Sequence, residues 1–553
     1  MDTKRLILFM ILSFSILMSW DAWERQHQPP VTKSPVIAGA VTDAALPSAS
    51  NKTSVATPVG TEVFSLTKGE RIHVKTDLVE ATIDTTGGDV RRLELIKHHA
   101  TEDQSKNFVL LDDSAPTPHL YIAQSGLIGA GLPNHKTVFT SQAKDYALVE
   151  GNDKLEVRLS WSDANKVQVD KIYTFHRGSY VIDVDYEIKN GSGAAIDTSA
   201  YYQLLHDSES NKSSAIMPTF TGAAYFTEAD KYKKLKFDDM QKTNLSKNAT
   251  DGWIGIVQHY FASAWIPKSG VTREYRTKQL GEHLFAASVV VPVGNVQAGA
   301  STSFGARLFA GPQEQKHLKE VAPGLEYVVD YGWLTIFASP LFWVLSEIQK
   351  LVHNWGVAII LLTVLLKAAF YPLSAAGYKN MAHMRKLAPR LQQMKERFGD
   401  DKAKMQQAMM ELYKTEKINP MGGCLPVLVQ IPVFIAFYWM LLGTIEMRQA
   451  PFMLWITDLS APDTLFGTVL GMPIGLLPIL MGLTMILQTS LNPTPPDPIQ
   501  AKVMKIMPVV FSVFFFFFPA GLVLYWLVNN ILSIAQQWSI NRMIEGGQKG
   551  VSA

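Results

Sequence analysis

Cysteine is almost absent from this 553-residue chain. The single Cys424 excludes a disulfide framework, a cysteine-rich zinc site and an iron–sulfur cluster. Charge is scarce, at 18% of residues against roughly 25% in a typical soluble protein. Neither sign dominates, because 51 Lys and Arg face 49 Asp and Glu for a net charge of +2. No block carries the cationic excess of a nucleic-acid binder, so no specific nucleic-acid sequence is expected as a partner. A Gly-rich phosphate-binding loop is also missing, and with it any sign of an ATP-driven pump.

What is present divides the chain in two. Residues 62–325 have the texture of an extramembrane domain, whereas 355–540 is dominated by long apolar runs. Lys4 and Arg5 precede the apolar stretch 6–20, and Trp20 and Trp23 suit an interfacial belt. No small-x-small cleavage site follows, so residues 1–23 read as an uncleaved signal-anchor rather than a signal peptide. The Pro-, Ser- and Thr-rich stretch 24–60 lacks apolar periodicity and reads as a flexible tether. In 61–325, the segments 155–161 and 182–188 alternate apolar and polar residues, the pattern of half-buried strands. Many short strands without helical periodicity predict a large all-β sandwich, closed by a helix near 313–321. His206, Asp207 and Glu209 show no catalytic spacing and read as a solvated loop.

Residues 340–352, within a 326–354 connecting region, carry Leu341, Leu345, Ile348 and Val352 at helical spacing and predict an amphipathic interfacial helix. Five apolar stretches follow, placing spans at 355–376, 421–443, 470–488, 502–518 and 519–537. With the N-terminal anchor they make six. The 377–420 segment holds ten Lys and Arg, whereas the 444–469 loop holds only Arg448. Positive charge stays inside. The 377–420 segment, the loop 489–501 and the tail 538–553 are therefore cytoplasmic, as are both termini, and 24–335 lies outside. Met384, Leu387, Leu391, Met394 and Phe398 step by 3 and 4, turn at Gly399-Asp400-Asp401, and continue at Met405, Met409 and Leu412. This predicts an antiparallel helical hairpin with a basic outer face, Pro389 lying in its first turn or kinking it.

Lys367 is the informative residue. It lies about ten residues into the apolar stretch 357–373, roughly 15 Å deep at 1.5 Å per residue. A cation at that depth costs about 2.5–3.5 kcal/mol on insertion scales. Thr363 sits one helical turn away on the same face, and Gln430 lies mid-span in the next stretch. Together they imply a watered, positively charged cavity inside the membrane. No carboxylate lies in any span, so the counter-charge comes from outside, from an acidic substrate or substrate segment. Phe434, Met481, Phe514 and the phenylalanine run offer an apolar surface beside it.

Asn419-Pro-Met-Gly-Gly-Cys-Leu-Pro426, Gln430-Ile-Pro-Val-Phe434, Arg448-Gln-Ala-Pro451 and Phe518-Pro-Ala-Gly-Leu-Val-Leu-Tyr-Trp526 closely resemble the motifs of the YidC-type membrane protein insertases. The resemblance is strong over 330–542, and the anchor, tether and β-domain match the Gram-negative form. It implies a five-span core around a hydrophilic groove open to the cytoplasm and the lipid, beneath a periplasmic β-supersandwich akin to sugar-mutarotase folds. In that family the groove cation is usually arginine; Lys367 keeps the charge and loses the planar fork. The resemblance also assigns Thr363, Tyr525 and Trp526 to the groove.

The expectation is an inner-membrane insertase and chaperone that is not an enzyme, with no catalytic residue, no metal and no cofactor. Its groove would be lined by Lys367, Thr363, Gln430, Tyr525 and Trp526, and clients would slide over Phe434, Met481 and Phe514 into lipid. Expected partners are nascent membrane proteins, the bilayer, the ribosome through the hairpin and tail, and the Sec translocon with its accessory subunits. The alternative is a transporter of a small anionic solute bound by Lys367.

Overall fold

A computed structural model describes residues 66–101, 103–113, 120–208, 219–398, 401–416, 425–492 and 498–549. The N-terminal anchor, the tether, Glu209, the Gly399-Asp400 turn and positions 419–424 of the insertase-like motif lie outside them. The described chain forms a strand unit ending at Asp330 and a helical unit starting at Tyr331.

The strand unit consists of a 10-stranded and a 9-stranded sheet. In the smaller sheet, Val181–Asn190 pairs antiparallel with Val167–His176 on one side and Ser301–Pro312 on the other. Its alternation is realised directly: Ile182, Val184, Tyr186 and Ile188 are buried and the residues between them are not. In the larger sheet, Ile196–Asp207 pairs with Leu284–Val296 along its whole length. Lys171, from the smaller sheet, donates to the carbonyls of Gly87 and Ser125 at 2.9 and 3.2 Å. Burial lowers its ammonium to about 8. Asp89 lies 3.1 Å from Arg91 and accepts from Gln124 at 2.7 Å. Burial pushes its carboxyl up to about 6 against the pull of Arg91 and Lys171.

The His206 region differs from the expected solvated loop. His206 and Asp207 are buried, because the strand continues through Asp207, which pairs with Leu284, and His206 pairs with both Phe285 and Tyr121. The imidazole packs on the rings of Tyr121 and Phe237, from helix α1 (Phe237–Lys242). Helix α2 (Gln315–Val321) stands where the sequence predicts one.

The helical unit comprises α3 (Thr335–Val352), α4 (Trp355–Ala369), α5 (Tyr371–Phe398), α6 (Lys402–Thr415), α7 (Leu425–Gly443), α8 (Leu476–Leu491), α9 (Pro498–Phe515) and α10 (Ala520–Lys549). Helix α10 is central and touches α4, α5, α7 and α8. Helix α3 buries Leu341 and Leu345 as its pattern requires, but it starts earlier than expected, and its other side leaves Ile336, Trp343 and Leu351 exposed. The methionine-lined seam is real: Leu387 and Tyr413 are buried and Met384, Leu391, Met394, Met405 and Met409 half-buried, while Arg390 and Glu416 pair at 2.6 Å.

Helix boundaries depart from the sequence expectation where proline and glycine intervene. The 355–376 stretch breaks at Phe370, where α4 and α5 meet at a 67° bend. Pro372 cannot continue a helix but fits the first turn of a new one. Because α5 starts at Tyr371, Pro389 lies in its interior and not in its first turn. Residues 468–473 form a β-hairpin, so α8 begins only at Leu476. Helix α9 stops at Phe515, four residues before Pro519, and the five-phenylalanine run ends as a turn. Helix α10 runs well past 537.

Among the described residues no single helix is long and apolar enough to cross a membrane; the bent pair α4–α5 passes only as a pair. The 16 residues of α8 reach about 24 Å, short of a hydrocarbon core of about 30 Å. The outward faces are nonetheless apolar: Leu365, Ile431, Leu483, Ile486, Val510 and Phe514 are all more than a third exposed. Exposed apolar faces of this kind mark a surface that meets lipid or a protein partner.

Candidate functional site

The site begins with Lys367. Of the described Lys and Arg residues in the helical unit, it alone is buried. Its ammonium donates to Ser533 Oγ on α10 at 2.7 Å. Ser533 in turn donates to Asn529 O within α10, and the Tyr378 hydroxyl of α5 reaches the same serine. Lys367 is not at the midpoint of a straight span. It lies in the last turn of α4, beside the bend, where the carbonyl end of the helix dipole favours a cation. Thr363 is buried one turn earlier, but its hydroxyl donates to Ile359 O of its own helix at 2.7 Å and makes no bond to Lys367.

Gln430, half-buried on α7, donates weakly to Asn529 Oδ1 at 3.5 Å. Asn529 precedes Ser533 by one helical turn, so Lys367 and Gln430 reach the same stripe of α10 from two different helices. The stripe continues. Buried Asn530 donates to Thr484 Oγ1 on α8 at 3.4 Å, and buried Gln537 donates to Leu491 O and Asn492 Oδ1, both at 3.2 Å. The oxygens of Gln536 and Gln537 are buried without a protein donor, leaving acceptor capacity along this face. These α10 residues escaped the reading of the sequence. Their signal was Asn529, Asn530, Ser533 and Gln537 recurring at 3 and 4 on an otherwise apolar helix.

Tyr525 and Trp526 occupy the preceding turn, in an aromatic cluster rather than among the polar groups. The Phe434 ring lies 5.1 Å from Tyr525 and 4.0 Å from Trp526; Phe437 and Phe515 close the cluster at 4.3 and 5.1 Å. One face of α10 thus passes from aromatic to polar within two turns. The expected apolar slide is split. Phe514 is exposed and packs on Phe518, Phe434 is half-buried in the cluster, and Met481 is fully buried inside α8's packing face. Met481 is therefore core and offers no surface to a client. Among the described residues no group of three or more His, Cys, Asp or Glu is placed to hold a metal.

Known proteins match this chain along its whole length. Residues 71–344 match the YidC periplasmic domain, and 347–548 match the 60Kd inner membrane protein family. The membrane protein insertase YidC of Methylobacillus flagellatus is 64% identical over 553 residues, 99% of this chain and 98% of its own. That of Aromatoleum aromaticum is 52% identical over 560 residues, covering 100% of this chain and 99% of its own. A crystal structure of an active YidC insertase with its first transmembrane domain resolved aligns over 85% of this chain and 92% of its own, at 19% identity and a TM-score of 0.39. With a strand domain and a helical unit that each match their own family model, and relatives at this identity over nearly every residue, the chain belongs to the YidC family of bacterial inner-membrane protein insertases.

Proposed function

We propose that the chain inserts integral membrane proteins and helps them fold through the Lys367–α10 face, without covalent chemistry. The supporting observation is the pairing of the only buried described cation of the helical unit with a stripe of polar α10 side chains, inside a unit whose outer surface is apolar. A short acidic client tail enters from the cytoplasm, drawn by Lys367. Its polar backbone meets Asn529, Asn530, Ser533 and Gln537 instead of hydrocarbon, where each unsatisfied group costs several kcal/mol. The cluster of Phe434, Tyr525 and Trp526 closes the polar face at its other end. The apolar client span leaves past Phe514 into lipid, driven by hydrophobic transfer.

In this reading the chain spans the membrane six times, counting the anchor at 1–23, with both termini and the basic α5–α6 hairpin in the cytoplasm and the strand domain in the periplasm. Short apolar helices thin the bilayer around them, and a thinner bilayer lowers the insertion barrier further. The hairpin receives ribosome-bound chains, and clients also arrive from the Sec translocon and its accessory subunits.

The test is site-specific photocrosslinking from Gln430, Phe434 and Phe514 to a ribosome-held single-span client. Crosslinks that move from Gln430 to Phe514 as the nascent chain lengthens support the path. Crosslinks from none of the three, with the protein folded in membranes, would refute it.

A further inference from the structure

The loop joining α7 to α8 is fastened at its base. Asp458 accepts from Gln449 N and Ser460 N at 2.9 and 2.8 Å, and Asp463 from Trp455 Nε1 and Leu477 N at 3.0 and 2.8 Å. The backbone N–H groups of Ala520 and Gly521 donate to Ala461 O and Leu459 O, both at 2.8 Å. From this base two turns project with leucine at their tips. Leu454 is 84% exposed at φ 58°, and Leu470 is wholly exposed at φ 52°. Leu470 and Gly471 sit between the paired strands Thr468–Val469 and Met472–Pro473, both with positive φ, the geometry that favours Asn-Gly. Leucine crowds its own backbone there, and asparagine would be both comfortable and soluble. The tips therefore hold apolar side chains at a conformational disadvantage and in full exposure.

Three observations say what covers them. No Asp, Glu, Lys or Arg occurs between Asp463 and Asp497, so tip and helix α8 form one charge-free run, and α8 exposes Leu483 and Leu487. The carboxylates at the base are turned onto backbone amides. The loop is also tied to the junction between α3 and α4. Asn354 Nδ2 donates to Phe452 O at 2.7 Å, next to the helix that exposes Trp343 and Leu351. The α7–α8 loop lies at the Trp355 end of α4, opposite the end that leads into the basic hairpin.

We propose that the Leu454 and Leu470 turns are interfacial anchors that dip into the headgroup–acyl boundary of the outer leaflet and hold this end of the helical unit at a set depth. This rests on the reading that the helical unit is embedded in the bilayer. The test keeps the two apart. Full-length protein with Cys424→Ala receives a single cysteine by Leu454→Cys, Leu470→Cys or, as reference, Leu483→Cys. Each carries a polarity-sensitive nitrobenzoxadiazole label in phosphatidylethanolamine–phosphatidylglycerol bilayers. The label at Leu483 should be quenched by lipid bearing a nitroxide deep in the acyl chain. Labels at Leu454 and Leu470 should be blue-shifted, shielded from aqueous iodide and quenched most by a nitroxide near the headgroup. Tips open to iodide and untouched by lipid nitroxides, with Leu483 quenched, would overturn the anchor and leave the embedding intact. Shielding that rises with protein density rather than with lipid nitroxide would overturn it in favour of a second copy. An unquenched Leu483 would overturn both. In a second variant, Leu470→Gly, which relieves the strained φ without threatening the fold, the Leu454 label should lose lipid quenching.

Discussion

The bond between Lys367 and Ser533 sets up a double-mutant cycle in which stability and function move in opposite directions. The ammonium is buried and has Ser533 Oγ at 2.7 Å. Hydrogen bonds to charged groups contribute about 1.5–3 kcal/mol, and a buried charge deprived of its acceptor forfeits that range. Ser533→Ala should therefore destabilise the protein by about 1.5–3 kcal/mol. In a Lys367→Met background the same change removes only the serine's bonds to neutral partners, Asn529 O and the Tyr378 hydroxyl, and such polar contacts in a membrane average about 0.6 kcal/mol. The coupling should be about 1–2 kcal/mol. Lys367→Met alone should be neutral or stabilising, since an apolar side chain of similar length needs no counter-charge. Yet it should impair insertion of clients with acidic tails. Unfolding midpoints of the four proteins in one detergent, with insertion into proteoliposomes alongside, check both halves. A coupling below about 0.5 kcal/mol, which is the scatter of independent sites, would refute the pairing. Undiminished insertion of acidic clients by Lys367→Met would refute the role of the charge.

Three further outcomes follow from other parts of the chain. Lys367→Glu should impair acidic-tailed clients more than neutral-tailed ones, and equal insertion of both in a reconstituted assay would count against electrostatic attraction. Burial against Tyr121 and Phe237 holds the His206 imidazole well below its ordinary range, despite Asp207 beside it. Its folded pKa is thus lower than its unfolded one, so this contribution is complete above about pH 6.5 and is lost as pH falls below that. The raised Asp89 carboxyl acts in the opposite sense over an overlapping range, so the readout is the difference between two proteins: thermal unfolding of the strand domain within the full chain should lose less stability on acidification in His206→Gln than in the parent. A Cβ on Gly356 would lie 2.1 Å from Phe452 Cδ2 and 2.8 Å from its Cβ, so rotating the ring cannot clear it. Gly356→Ala should destabilise by about 1–3 kcal/mol, read as a lower unfolding midpoint, whereas an unchanged midpoint would mean that the loop moves freely over α4.

Much of this protein is determined locally, and that part was legible in the sequence. Two-residue alternation in 182–188 dictates a strand with one buried face, and the 3–4 spacing from Met384 to Phe398 dictates a helical seam. Both depend only on the period of the backbone. The division into a strand domain and a helical region, the basic hairpin and the exceptional burial of Lys367 follow from composition and hydropathy in the same way. Proline and glycine decided the element ends that a hydropathy run cannot show: Pro372 turns α4 into α5, and Leu470-Gly471 replaces the start of α8 by a hairpin. Only the tertiary structure could decide which faces meet. Helix rotation places Gln430 and Lys367 on one stripe of α10, sends Thr363 back to its own helix, buries Met481, and moves Tyr525 and Trp526 into the aromatic cluster with Phe434. His206 and Asp207 were misread for the same reason, since only their pairing with distant strands removes them from water. A sequence carries the period of each element, whereas the rotation of one element against another is set by the packing of side chains far apart in the chain.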